Sequence, residues 1–259
     1  MNKKEFEDLE LWFLKYTDSF LQPPEADIEN IILKKKHTLR VCNNMKLLSE
    51  DLSFKDQYLA LAVSLLHDVG RFEQLRLYNT FSDSMSEDHA TLGVKVLKEL
   101  DVLKELDPDE AAIILIAIDN HNKATISDGL SNMEETICKL VRDADKLDIW
   151  QVITEYYKDG REKENPVLVH HLPSGSDVSK AVFEAIKNRS IISYTLLETV
   201  VDLKILQMGW IYDLNTDKAF ELAISKGYLE SIVETMPKTE RINYLYNRMM
   251  SYNKIKEFS

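Results

Sequence analysis

Apolar residues recur at helical spacing along most of the chain, and this periodicity constrains the fold more than any other feature. In one segment Leu59, Ala62, Val63 and Leu66 fall on one face of a helix. No two-residue hairpin signal with flanking strands occurs. The 259 residues include only 7 Gly and 6 Pro, and 44% are apolar, which argues against disorder and turn-rich β-sandwiches. We therefore predict an all-α protein.

The helical pattern has one marked interruption, which suggests how the chain is divided. Residues 158–176 are rich in Gly, Pro, Ser and charged residues and are predicted to be a linker or loop. Residues 1–157 would form the first helical domain, with its core at 28–157. Residues 177–259 would form a helical C-terminal extension that packs on the first part. Together they would make a bundle of about ten helices.

Charge and cysteine usage exclude several classes of function. The chain has 32 basic and 44 acidic residues, a net charge of −12, which disfavours duplex nucleic acid or a membrane surface as a partner. No run of 18 apolar residues or signal-peptide pattern is present. Cys42 and Cys138 form no CxxC pair, so we expect a reducing, cytoplasmic environment.

Several polar side chains lie on apolar helix faces, where an unpaired polar group is costly. The histidines in such positions are His37, His67 and His121. Asp145 is the clearest example of a polar residue on an apolar helix face, because Val141 and Ile149 lie four residues before and after it. Asp143 has Lys139 four residues before it and is expected to face solvent. A single inward histidine is more often a hydrogen-bonded core residue than a metal ligand.

The candidate histidines and aspartates, taken together in chain order, carry more information than any one of them alone. They fall on five successive helical segments, in an order that would let the side chains converge inside a bundle. They are His37, His67 with Asp68, His89, His121 and Asp145.

These residues stand in local contexts that resemble the HD-domain metal-dependent phosphohydrolase superfamily, whose pattern is H…HD…D on an all-α scaffold. The contexts are His-Thr-Leu-Arg-Val at His37, Leu-Leu-His-Asp-Val-Gly-Arg at His67 and Asp68, and Arg-Asp-Ala-Asp-Lys-Leu-Asp at Asp145. The resemblance covers roughly residues 28–157 and implies an HD-domain helical bundle. It matches Asp145 to the final ligand of the family, in agreement with the apolar-face argument.

His89 and His121 resemble the extra histidines of the two-metal branch of this superfamily. The resemblance implies metal one between His37, His67, Asp68 and Asp145, and metal two between Asp68, His89 and His121, with Asp68 bridging. Imidazole and carboxylate ligands together suit Mn, Fe, Co, Ni or Zn. We expect one or two such ions.

The implied reaction is hydrolysis of a phosphate ester, such as a nucleotide or another small phosphorylated metabolite. Two metals can activate a shared water to hydroxide and bind the oxygens of the transferred phosphoryl group. Asp68, Arg71 and Lys146 are the expected catalytic residues, with Arg71 and Lys146 holding phosphate oxygens. Arg40 is a weaker candidate for the same role. A surface position that only solvates a helix is the alternative for each of these cations.

Other readings stay open at this point. The same ligand set resembles the HD-like diiron oxygenases, and a non-catalytic regulatory protein that binds metal or nucleotide would keep the fold. The run from Lys34 to Lys36 is expected to be a solvated helix face, with substrate steering as the alternative. The C-terminal helices carry no motif with a known chemistry, and they could shape the pocket, cover it or form a homodimer.

Overall fold

The computed structural model describes residues 1–21, 28–160, 169, 172–190 and 192–252. These residues form α-helices, short 3-10 turns and loops, with no β-strand among them, so the all-α prediction is confirmed. The helices are α1 Lys3–Ser19, α2 Ile28–Leu48, α3 Phe54–Leu66, α4 Val69–Tyr78, α5 His89–Glu99, α6 Pro108–Asn120, α7 Asn132–Lys158, α8 Lys180–Lys187, α9 Val200–Gly209, α10 Asp217–Ser225, α11 Tyr228–Val233 and α12 Glu240–Met250. No helix within the described ranges has the length and apolarity needed to cross a membrane.

The chain divides into two compact units, Met1–Asp148 and Ile149–Ser259. The division falls inside α7, some residues before the predicted linker, because the last turns of α7 contribute their side chains to the second unit. Part of the predicted linker, 161–168 with 170–171, lies outside the described residues. The packing of residues 177–259 on the first part stays a prediction.

Several helices of the first unit begin at residues whose side chains cap them. Asp107 accepts hydrogen bonds from the backbone amides at the start of α6, where Pro108 occupies the first turn. At α7, Ser131 and Glu134 bond reciprocally, with the Ser131 amide donating to Oε2 of Glu134 at 2.6 Å. Both helices therefore begin at residue types that are typical of helix caps.

The second unit is built around aromatic side chains and α9. Trp150 is fully buried, and its Nε1 donates to the carbonyl of Gln207 at 2.9 Å. The apolar periodicity of residues 193–212 predicts one helix. In the structure α9 starts only at Val200, because Thr199 and Asp202 form a capping box there. A 3-10 turn at Tyr194–Leu196 precedes it.

Candidate metal centre

The centre is built around a break between two helices. α3 ends at Leu66 and α4 starts at Val69, so His67 and Asp68 lie at the junction instead of within one continuous helix. Asp68 is the N-terminal cap residue of α4 and is 3% exposed. Its carboxylate makes no capping bond. It therefore remains available for the interior of the bundle.

Each of the four histidines that converge on this carboxylate has its Nδ1 next to an oxygen atom. The pairs are His37 with Asp148 at 2.6 Å, His67 with the Ser64 carbonyl at 2.7 Å, His89 with Asp83 at 2.7 Å and His121 with the Ile118 carbonyl at 2.6 Å. Because oxygen is the acceptor in each pair, Nδ1 carries the proton. Each ring therefore turns Nε2 toward the centre, as metal-binding histidines do.

The two oxygens of Asp68 divide the histidines into two pairs. Oδ2 lies 3.5 Å from Nε2 of His37 and 3.8 Å from Nε2 of His67. Oδ1 lies 3.4 Å from Nε2 of His89 and 3.9 Å from Nε2 of His121. Each pair, together with Asp68, forms a group of ligating atoms close enough to hold a metal ion.

Asp145 reaches the first pair from α7. Its Oδ1 lies 3.1 Å from Nε2 of His37 and 3.8 Å from Nε2 of His67. The structure thus brings all six expected ligands together, in the two sets that the resemblance implies. Their role as ligands is taken up below as a proposal.

The polar atoms at the centre are arranged in a way that suits the binding of cations. Nε2 of His67 is buried and has no hydrogen-bond partner among the described residues. Nε2 of His89 and Nε2 of His121 lie 2.9 Å apart, although both rings have their Nδ1 proton committed to an oxygen. Facing lone pairs of this kind repel unless a cation or a further proton lies between them. Imidazole and carboxylate donors suit divalent transition metals better than Mg²⁺ or Ca²⁺.

The surroundings of the histidines shift their pKa values in different directions. Burial lowers the pKa of His37, but hydrogen bonds to Asp145 and Asp148 outweigh burial and raise that pKa to about 9. Burial, with the neighbouring His89 and His67, lowers the pKa of His121 to about 3. Although burial opposes it, the nearby charge of Lys34 and the histidines holds the pKa of Asp68 well below its usual range. The neighbouring carboxylates thus favour the protonated form of His37, whereas burial disfavours the protonated form of His121.

The sequence predicts a solvated helix face for Lys34 and phosphate binding for Arg71 and Lys146. Lys34 is part of the centre, because its Nζ lies 2.8 Å from Oδ2 of Asp68, so its expected place on a solvated face is wrong. Nη1 of Arg71 donates to Gln74, to the Phe81 carbonyl and to Asp83, while its Nε lies 3.6 Å from Oδ1 of Asp68. Lys146 follows Asp145 on α7 and is half-buried.

The expectation that Asp143 faces solvent is wrong, since this residue is fully buried. The four consecutive residues 141–144 are all buried, so this part of α7 is enclosed on several sides and has no solvent-exposed face. The spacing to Lys139 suggested such a face, but i, i+4 spacing reports only one neighbour. Asp145 is the more accessible of the two, at 21% side-chain exposure.

The sequence interpretation missed Asp148. This carboxylate is fully buried and contacts Nδ1 of His37, while Arg40 donates to both of its oxygens at 2.6 and 3.0 Å. Its position one turn after Asp145 was the available signal. Arg40, a weak candidate for phosphate binding, is paired with Asp148 instead.

Comparison with known proteins agrees with this geometry. The family model of the HD domain matches residues 35–150, which include all six expected ligands. Residues 35–150 therefore resemble the HD domain, a family whose members are mostly metal-dependent hydrolases. No curated protein and no solved structure matches the chain.

Proposed function

We propose that this protein is a metal-dependent phosphohydrolase that acts on a small phosphate ester. The observation that carries the proposal concerns Asp68, whose two carboxylate oxygens face two separate pairs of histidines. A carboxylate in this position can bridge two ions and offset their mutual repulsion. A dinuclear arrangement is typical of phosphoryl-transfer hydrolases.

The proposed ligands are those that converge in the structure. His37, His67, Asp68 and Asp145 would hold one ion, and Asp68, His89 and His121 would hold the other. When bound, such ions lower the pKa of a shared water and neutralise charge on phosphate oxygens. The protein orients the ligands through the Nδ1 hydrogen bonds of the four rings, and burial keeps bulk water from them.

The cations beside the centre would bind the substrate. Lys34 is paired with Oδ2 of Asp68, the oxygen that faces metal one in this proposal. A metal ion bound to this oxygen would repel the positively charged ammonium group of Lys34 and so weaken its attraction to the carboxylate. The ammonium group would then turn to a phosphate oxygen. Arg71 and Lys146 stay candidates for the same task.

A small phosphorylated molecule suits the chain better than a phosphate-rich polymer, because the net charge is −12. A nucleotide or another small metabolite phosphate is the proposed substrate class. The cytoplasmic location and the homodimer stay predictions.

The decisive experiment combines metal analysis with a substrate screen. Purified protein would be assayed for phosphate release from a panel of nucleotides and sugar phosphates with Mn²⁺, Fe²⁺, Co²⁺ or Ni²⁺, under air and under argon. We expect metal-dependent phosphate release that does not require O₂. Turnover that consumes O₂ would instead identify an oxygenase, and nucleotide binding without turnover would identify a regulatory protein.

The second ion is tested by His121→Ala. We expect the metal content to fall from about two ions per chain toward one, with hydrolysis reduced by orders of magnitude, because metal one keeps all its ligands. Circular dichroism would check that the fold survives the loss of this ring. Wild-type protein that never holds more than one ion in excess Mn²⁺ would contradict the dinuclear proposal.

A further inference from the structure

A third group of ligating side chains lies on the outer side of His89. It consists of Asp83, Asp88 and His89, whose potential ligand atoms are close enough to hold a cation. The proposed function uses only the inward Nε2 of His89, which leaves the group on its Nδ1 side unexplained. It is either a third metal site or a support for His89.

The hydrogen bonds of Asp83 favour a support. Its Oδ2 lies 2.7 Å from Nδ1 of His89. Its Oδ1 accepts from Nη1 of Arg71 at 2.8 Å and from Nε2 of Gln74 at 2.9 Å. Both oxygens therefore already have protein donors, and a cation would have to displace a guanidinium group.

Asp88 is engaged in the same way. Its Oδ1 accepts from the backbone amide of Thr91 at 2.8 Å and caps α5, while its Oδ2 accepts from Asn122 at 2.6 Å. Neither carboxylate of the outer group leaves an oxygen without a donor. The group is thus satisfied within the protein.

The segment that carries Asp83 is itself fixed to α4. The fully buried Gln74 donates to Oγ of Ser86 and to the carbonyl of Glu87, both at 2.9 Å. Arg71 donates to the Phe81 carbonyl at 2.5 Å. Asp83 is therefore held against α4, the helix that begins at Asp68.

His89 needs this support more than His121 does. The ring of His121 is held by the carbonyl of Ile118, three residues earlier in its own chain segment. His89 is the first residue of α5 and has no preceding helical turn to supply such a carbonyl.

We propose that Asp83 is a positioning residue that fixes the ring and the tautomer of His89, so that Nε2 is available to the second metal ion. The inference rests on the proposed two-metal site and adds a residue to it. Asp83 does not itself contact the ion or the substrate.

Asp83→Asn is the most direct test, because it preserves the shape of the side chain but replaces one acceptor oxygen with an NH₂ group, which is a hydrogen-bond donor. If the new amide faces His89, Nδ1 must accept the hydrogen bond and the proton moves to Nε2, which can then no longer bind metal. If the amide faces Arg71 and Gln74, three donor groups confront one another. Asp88→Asn is the matched control, since asparagine also caps helices well.

The experiment is a calorimetric titration of metal-free protein with Mn²⁺ alone, for wild type and both variants. We expect Asp83→Asn to weaken the second Mn²⁺ site about 10–100-fold and to leave the first within about twofold. Asp88→Asn should match wild type at both sites. Because Mn²⁺ binding is measured without a substrate, the result does not depend on phosphohydrolase activity.

Two results would overturn the inference. Wild-type affinity at both sites of Asp83→Asn would remove Asp83 from the centre while leaving the dinuclear proposal intact. A third Mn²⁺ that is lost in both variants would identify a third metal site.

A second measurement uses only the wild-type protein, so it does not depend on whether a variant folds. In Zn²⁺-loaded wild-type protein, ¹⁵N NMR should show His89 protonated at Nδ1 and coordinated through Nε2. Coordination through Nδ1 would contradict the inference.

Discussion

Asp68 contacts both histidine pairs through different oxygens, so its removal should affect both halves of the centre at once. We expect Asp68→Ala to abolish metal-dependent hydrolysis and to lower the bound metal to less than one ion per chain, because each ion loses a shared anionic ligand. Metal analysis after dialysis, with circular dichroism to confirm the fold, measures this. Unchanged metal content would contradict the site.

Two neighbouring aspartates on α7 separate metal binding from folding. Asp145→Ala should nearly match the metal loss of Asp68→Ala, because Asp145 contacts the first histidine pair. Asp143→Ala should keep its metal but lose about 1–3 kcal/mol of unfolding free energy, since a fully buried carboxylate loses its interactions. Denaturant unfolding and metal analysis of both variants check this. The opposite order would show that Asp143 is the ligand.

Lys34 and Lys36 lie on the same helix, and only Lys34 is paired at the centre. Lys34→Gln should raise KM for a phosphorylated substrate about tenfold, with a smaller change in kcat, because one charge-assisted hydrogen bond is lost. The exposed Lys36→Gln is the matched control and should leave KM unchanged. Equal effects of the two variants would indicate general electrostatic steering instead.

At the residue scale, the sequence predicts the inward ligands better than their supports. Asp145 is predictable because its neighbours at i−4 and i+4 are apolar, which is a local property. Asp148 supports His37 across 111 residues of chain, so its spacing from Asp145 could mark it as a candidate but could not identify this partner. Asp83 lies in a polar loop where periodicity is uninformative. Its role follows from hydrogen bonds to α4.

At the scale of helices, α4 and α5 approach unusually closely, and this approach brings Asp68 and His89 together. A Cβ on Gly70 would lie 2.1 Å from the carbonyl oxygen of His89 and 2.5 Å from the amide nitrogen of Gly93. Both atoms are backbone, so neither can move without shifting α5. Gly70 is therefore required by packing.

Gly70→Ala should accordingly cost about 1–3 kcal/mol of unfolding free energy and weaken the second metal site, since His89 must move away from Asp68. Gly93→Ala is the graded control, because its Cβ would meet its nearest atoms at 3.3 Å. Thermal unfolding and Mn²⁺ titration of both variants measure the difference. A Gly70→Ala protein with wild-type stability and metal binding would contradict the close approach.

At this scale, the apolar periodicity predicts that a helix is present but does not predict where several of the helices begin or end. The stripe that includes Val63 and Leu66 predicts α3, but the break at His67 and Asp68 depends on the site around it. α9 begins at Val200 because Thr199 caps it, a local signal that the interpretation of 193–212 as one helix overlooked.

At the scale of the whole molecule, the family match and the division of the chain nearly coincide. The HD domain match ends at residue 150, and the first compact unit ends at Asp148. The last turns of α7 belong to the second unit, where Nε1 of Trp150 and the hydroxyl of Tyr157 both bond to Gln207, at 2.9 and 2.7 Å. The prediction of a domain ending at 157 rests on composition, which does not show where core contacts change.

A fragment of residues 1–157 tests how much the first unit depends on the rest. Removal of the later helices strips Trp150 and Tyr157 of their partner Gln207, so we expect exposed aromatic surface and aggregation. Size-exclusion chromatography and dye binding measure this. The same fragment with Trp150→Ser and Tyr157→Ser is the matched control and should aggregate less, because these two side chains supply the apolar surface. A 1–157 fragment that stays monomeric and binds Mn²⁺ like the full chain would contradict the expectation and show that the metal centre folds independently.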